Sequence, residues 1–330
     1  MTLFKKWTGL FALVAIFALS AAARAHSDDE RTPAAQASPS PTPSSASSKS
    51  TPGVDDLITN NNLRAYAGSN SDWSIASAFN YQGGTISQPF DQNRPDISNA
   101  SGTTAKADLD GNISVKYNLN ATNSLMAGIG IRWIAPFSST LVDYDGDRFD
   151  FINPYLQYQY VYKWLGIQSV LQFAFLQWTQ TDFTALGYGQ QLSVDQENIY
   201  EIGKTGLSVG ASAFAQYQFF NKSGAYGSPS DPTYVPDVGY VQSVYLFGIS
   251  PEIEYQLTDK INLRTLISGL TFEHYSKGSP TLQRDSTYQS IGVGFSVTRD
   301  IFLYPNIQFL PQDFVSSATN VGLSATINLF

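Results

Sequence analysis

The chain has 330 residues, of which 42% are hydrophobic, 14% aromatic and only 14% charged, with no cysteine. Its formal charge of −8 opposes nucleic-acid binding, which needs a basic surface. Missing cysteine rules out disulfide scaffolds, thiolate metal centres, a cysteine nucleophile and a lipoprotein anchor, and so many aromatics with so little charge rule out a disordered chain.

Lys5 and Lys6 precede an apolar run from Trp7 to Ala23, and Ala23-Arg24-Ala25 follows as a small-x-small cleavage site. Residues 1–25 therefore read as a secretory signal peptide. Its removal takes Lys5, Lys6 and Arg24 but no acid, so the formal charge falls from −8 to −11. Pro33, Pro39, Pro41, Pro43 and Pro52 then stand among Ser, Thr and Ala. Such a stretch cannot bury a core, so residues 26–60 are expected to be a disordered periplasmic linker, partly in polyproline II.

From residue 61 onward the hydrophobic period is two. Leu109, Gly111, Ile113, Val115, Tyr117 and Leu119 alternate with Asp110, Asn112, Ser114, Lys116 and Asn118. Leu125–Trp133, Leu156–Tyr162, Leu207–Phe219, Tyr245–Leu257, Ile291–Val297 and Val321–Leu329 repeat the pattern. Period two makes one face apolar and one polar. A soluble β-sandwich and a membrane barrel both present that pattern. The strands are long for a sandwich. Trp73, Tyr81, Tyr117, Trp133, Tyr162 and Tyr255 stand near strand ends on the apolar faces, as interface girdles do. The opposite parity carries Asp108, Asp110, Lys116, Arg132, Gln157, Gln159, Glu252, Glu254 and Arg264, which suits a wet lumen.

With the signal peptide, the period-two strands and a last strand ending in Phe330, the chain resembles Gram-negative outer-membrane β-barrel proteins over about residues 63–330. The resemblance implies an all-β fold, a transmembrane antiparallel barrel in the outer membrane. It also implies contact with lipid and lipopolysaccharide, and delivery by the barrel-assembly machinery through the C-terminal strand. One feature departs from the usual pattern: Leu329 is in phase with the apolar face and Phe330 is not.

Eleven strands are legible, about 73–82, 106–119, 124–135, 150–162, 167–180, 204–219, 241–257, 261–275, 287–297, 301–310 and 319–329. Bacterial single-chain barrels have even counts and short periplasmic turns. The tight turns at Asn120–Asn123, Lys163–Gly166, Thr258–Lys260 and Thr298–Asp300 send 167–180 outward and 241–257 inward. One strand is therefore missing between them, and it must lie in 181–203, where Tyr188–Tyr200 is weakly patterned. About twelve strands result, with ten and fourteen as the neighbouring even counts. The connections 83–104, 136–149, 181–187, 220–240, 276–286 and 311–318 become surface loops rich in Gly, Pro, Asn, Asp and Ser.

Three groups of residues could carry chemistry. Asp143, Asp145 and Asp147 are carboxylates at alternate positions that could converge on Ca²⁺, although Pro154 stands where an EF-hand needs Glu. No other cofactor is implied. His274 and Ser276, two apart on a strand, share a face, as an activated serine requires. This local motif resembles the His-x-Ser motif of outer-membrane phospholipase A and of the lipid A 3-O-deacylase. The resemblance implies Ser276 as nucleophile, His274 as base and Gln289 on the next strand as orienter, with Lys277 standing where those families show Asn. The third group is the lumen-facing charge: Asp108, Asp110, Lys116, Arg132, Glu252, Glu254 and Arg264. Its acids would bias a narrow pore toward cations. A porin-like channel ranks first, ahead of a structural or surface-binding barrel with a plugged lumen and of a lipid acyl hydrolase.

Overall fold

The computed structural model describes residues 53–97, 104–138, 141, 144, 146, 148–222, 239, 241–268, 270–277, 282–284 and 287–330. The expected signal peptide, the Pro/Ser stretch up to residue 52 and Asp143, Asp145 and Asp147 lie outside the described residues.

Twelve antiparallel strands form a closed barrel. They are β1 (Trp73–Thr85), β2 (Asp108–Asn118), β3 (Asn123–Ile134), β4 (Phe149–Trp164), β5 (Ile167–Gln177), β6 (Tyr188–Glu201), β7 (Leu207–Phe220) and β8 (Ser243–Thr258). β9 runs as Ile261–Ser268 and Leu270–Tyr275, followed by β10 (Tyr288–Thr298), β11 (Ile301–Phe309) and β12 (Asn320–Leu329). β1 closes on β12, with Ile75 opposite Leu329 and Gln82 opposite Gly322. β6 is the strand that turn direction required in 181–203. Strand 167–180 is shorter than its pattern, because residues 178–180 leave the wall to enter a loop with a short helix, Thr181–Ala185.

Burial is inverted relative to a soluble protein, which hides apolar side chains and shows polar ones. Trp73 is 61% exposed and Leu156 63%, and Val115, Phe173, Phe175, Phe247, Ile253 and Leu263 share their outer face. Ser114, Lys116, Gln159, Gln172, Glu252, Glu254, Asn262 and Asn328 are buried inside. An apolar belt of this extent is stable only against lipid, so the fold is a transmembrane β-barrel. Tyr81 is an exception among the girdle aromatics. A loop covers it, its ring meets Phe137 edge-on at 5.2 Å, and its hydroxyl donates to the Pro89 carbonyl at 2.9 Å.

Two strands switch parity midway. In β4, Gly128 pairs with Tyr155 but Gly130 with Ile152, so two residues, Asn153 and Pro154, face one. Asn153 takes φ 52°, a left-handed conformation that Asn tolerates, and Pro154 follows where the ladder needs no donor. Before this bulge Phe149 and Phe151 face outward, and after it Leu156 does. In β9, Glu252 pairs with Leu266 and Ile249 with Leu270, which again leaves one extra residue. Arg264 therefore faces inward and His274 outward although both numbers are even.

The N-terminal end of the described chain is not linker. Residues 53–60 belonged to the expected linker, and 61–72 opened the expected barrel domain. Instead α1 (Val54–Leu57) and α2 (Asn61–Ala67) lie inside the barrel at its short-turn end. Ile58, Leu63 and Ala67 pack against Val161, Val170 and Ile199 of the wall, and Ala65 packs against Phe302 and Tyr304. An apolar patch inside an otherwise polar lumen is what gives this segment a seat.

Candidate functional site: the plugged lumen

Around the apolar patch, hydrogen bonds also seat the N-terminal plug. Gln168 accepts from the backbone N–H groups of Thr59 and Asn60 at 2.7 and 2.9 Å, and its amide donates to the Thr59 hydroxyl at 2.9 Å. Asn60 caps α2 by accepting from the Leu63 N–H at 2.9 Å, and its Nδ2 donates to Glu254 Oε2 at 2.7 Å. Tyr66 donates to Gln172 Oε1 at 2.6 Å. The carbonyls that α2 leaves open at its C-terminus are also met. Asn328 donates to Ala65 O at 2.8 Å, Gln159 to Ala67 O at 2.7 Å, and the Lys116 ammonium donates to Ala67 O as well. Gly68 follows at φ 89°, and a Cβ there would lie 2.5 Å from Lys116 Nζ, so the chain can leave the helix only through glycine.

At the short-turn mouth Arg299, in the β10–β11 turn, holds the plug by three parts of the segment. Its guanidinium donates to Asp55 at 2.9 Å, to the Gly68 carbonyl at 2.8 Å and to Asn70 Oδ1 at 2.8 Å. Partial burial alone would push the Asp55 carboxyl up. The hydrogen bonds from Arg299 and Asn70, with the guanidinium charge, outweigh it and hold Asp55 below the usual carboxylate range.

The plug separates cavities. One of about 360 Å³ at the short-turn mouth is lined by Asn61, Arg64, Glu201 and Asp259 among others. A small one of about 150 Å³ lies beside α2, between Tyr66, Glu197 and Arg264. A larger lumenal one, about 560 Å³, lies on the long-loop side of Tyr66. Its other end is bounded by the Thr181–Ala185 loop, which folds inward and puts Phe183 on the cavity. That loop is held by Asn153, whose Oδ1 accepts from the Thr179 and Gln180 N–H groups at 3.0 and 3.2 Å, and by Trp178 stacked on Phe183 at 4.2 Å. Arg132 faces Asp182 across the opening at 3.7 Å.

The lumen-facing residues expected from the sequence are all on the inner wall. Asp108 is 3.8 Å from Arg94, and Asp110 and Arg132, paired in register, line the large cavity. Arg264 donates to Glu252 Oε2 at 2.8 Å, lies 3.2 Å from Glu254 and sits 5.1 Å from the Tyr304 ring. On lumen-facing parity the strands carry Asp108, Asp110, Asp150, Asp195, Glu197, Glu201, Glu252, Glu254 and Glu273 against Lys116, Arg132, Lys163 and Arg264. The interior is therefore acidic.

His274, Ser276 and Gln289 are not assembled into a catalytic unit. The His274 ring stacks on Tyr245 at 4.8 Å, and its Nδ1 has no partner among the described residues. The Ser276 N–H donates to the Gln242 carbonyl at 2.8 Å. Gln289 lies opposite Ile267, and its amide donates to Thr265 at 3.0 Å. His274 is seven residues beyond Ile267, roughly 20 Å along the strand. The plug contacts through Asn60, Tyr66, Gln168 and Asn328 went unread in the sequence. The available signal was a set of apolar residues out of phase on the lumen parity, Val161 among them.

No protein-family model matches the chain, and no curated protein matches it. Among solved structures it is similar to an outer membrane channel from Pseudomonas putida F1, with 11% identity and a TM-score of 0.48, over 80% of this chain and 98% of the other. It is also similar to the NanC porin (9% identity, TM-score 0.38, 78% and 98% covered) and to the KdgM porin (8%, 0.36, 77% and 98%). Similarity this low transfers none of those proteins' solutes to this chain. What the chain's own wall, belt and closure establish is the architecture of an outer-membrane β-barrel.

Proposed function

We propose that the protein is a narrow, porin-like diffusion channel of the outer membrane with a mild preference for cations. Its short-turn end faces the periplasm, and there its own residues 53–72 close the lumen until they are displaced. The observation that carries this reading is the nature of the seat. Beyond the apolar patch that Ile58, Leu63, Ala65 and Ala67 make with the wall, this segment is held by individual hydrogen bonds and one guanidinium latch. Each such bond is worth about 0.5–1.5 kcal/mol net, and water can replace it. The lumen wall behind the plug is polar and acidic, so it can be wetted once the plug leaves. The acids raise the local concentration of cations.

Reversal potential in a potassium chloride gradient across a planar bilayer tests the selectivity. The expected sign is that of a cation-preferring pore. Glu252→Gln together with Glu254→Gln should move the reversal potential toward zero, and an anion-preferring or unshifted potential contradicts the reading. A second reading, a structural or surface-binding barrel, is favoured by the plug itself. Under it the lumen would stay closed under all conditions.

A further inference from the structure

The large cavity between Tyr66 and Phe183 has an unusual lining. Asn112, Gln157, Gln180 and Gln191 all bring side-chain amides to it. The protein uses only part of their hydrogen-bonding capacity. Asn112 Oδ1 accepts from the Tyr155 hydroxyl at 3.2 Å, and Gln191 Oε1 accepts from Gln218 at 2.8 Å. Both residues keep their NH₂ groups for something else. Among the described residues, the Gln157 and Gln180 amides have no side-chain partner. Asp110 and Asp195 add carboxylate acceptors on the same wall. Tyr66, Tyr155 and Phe183 add ring surface.

The chemistry of that set selects a ligand class. Amide NH₂ groups donate, and carboxylate and amide oxygens accept. A hydroxyl does both, so vicinal hydroxyls match a wall where donors and acceptors are mixed. The C–H faces of a ring-shaped solute suit aromatic surface. An anion meets Asp110 and Asp195, and Arg132, the one cation on this wall among the described residues, is already turned to Asp182. A volume of about 560 Å³ falls within the range of about 300–1,000 Å³ for small-molecule sites.

We propose that this chamber binds a non-anionic, polyhydroxylated solute, a sugar or polyol of mono- to disaccharide size, held between the plug and the inward loop. The proposal rests on the reading of the lumen as a solute path. Gln157 is its central hydrogen-bonding residue, and Phe183 is its cover from the loop side.

The test is titration calorimetry on the full-length protein in detergent, with maltose and glucose as probes. Gluconate serves as the anionic comparator. Maltose or glucose should bind more tightly than gluconate. Gln157→Leu should weaken binding about tenfold, the loss of one to two hydrogen bonds. Phe183→Ala should weaken it by a similar factor, while both variants keep the heat-dependent gel shift of a folded barrel. No binding of either neutral sugar at 10 mM to the folded protein, or tighter binding of gluconate, overturns the proposal. Undiminished binding in both variants overturns it as well. Calorimetry reads the chamber without conduction, so sugar binding by a barrel that never conducts would sink the channel and leave the site. Conduction without sugar binding would do the reverse.

Discussion

Arg299 gathers three separate parts of the plug, Asp55, Gly68 and Asn70, at the mouth where the segment must leave. Its loss should therefore loosen the plug more than the loss of any single wall amide. The Asp55 carboxyl is held below its ordinary range, so the folded, plugged state favours the ionised form. The stabilisation is fully present above the usual carboxylate pKa and is lost as pH falls through the lowered value. Acidification should thus raise the frequency of channel openings in single-channel records. Asp55→Asn should reproduce at neutral pH what acid does to the parent, and Arg299→Ala should do so more strongly. Opening frequency that stays flat with pH and in both variants would show that this latch does not hold the plug.

Within the strands, the two bulges decide which side chains meet lipid and which meet the lumen. Strict alternation along 150–162 or 261–275 would send one half of each strand to the wrong side. The bulge at Asn153 also anchors the inward loop, since its side chain accepts from Thr179 and Gln180. Two variants separate these roles. Asn153→Val puts a β-branched residue at φ 52°, at a cost of about 1–2 kcal/mol, and also removes the acceptor. Asn153→Gly keeps the backbone conformation and removes only the acceptor. Urea unfolding in lipid vesicles should rank the parent above Gly and Gly above Val, and a Val variant as stable as Gly would contradict the strained bulge. The sequence carried some warning of these switches. Arg264 shared a parity with Leu266, Leu270 and Phe272, a conflict that a regular strand cannot satisfy and one inserted residue can. In β4 the warning was Pro154, a residue that an uninterrupted ladder excludes.

At the level of the whole molecule, what alternation encodes was legible and what folds back on it was not. Period two, turn length and strand direction led to twelve strands and placed the weakly patterned 188–200 in the wall. Charged residues off the apolar parity led to the inner lining. The plug was hidden because its residues, Gly53 to Asp72, follow a Pro/Ser stretch and hold too little apolar surface to announce a packed element by themselves. Their partners were equally quiet. Val161, Val170, Ile199 and Phe302 look like lapses in a polar face until a second segment is seen to cover them. The hydrolase motif shows the converse. His274 and Ser276 stand two apart in sequence, but the cross-strand register decides what they meet, and it sets Gln289 opposite Ile267 instead of beside His274. The central claim is that the N-terminal segment, and nothing in the strand wall, closes this pore. It is tested most directly by single-channel conductance of the full chain against a chain lacking residues 53–71, both shown to be folded by gel shift. The expected result is small or rare steps from the full chain and steady steps several times larger from the shortened one. Equal conductance, or silence from both, would contradict it.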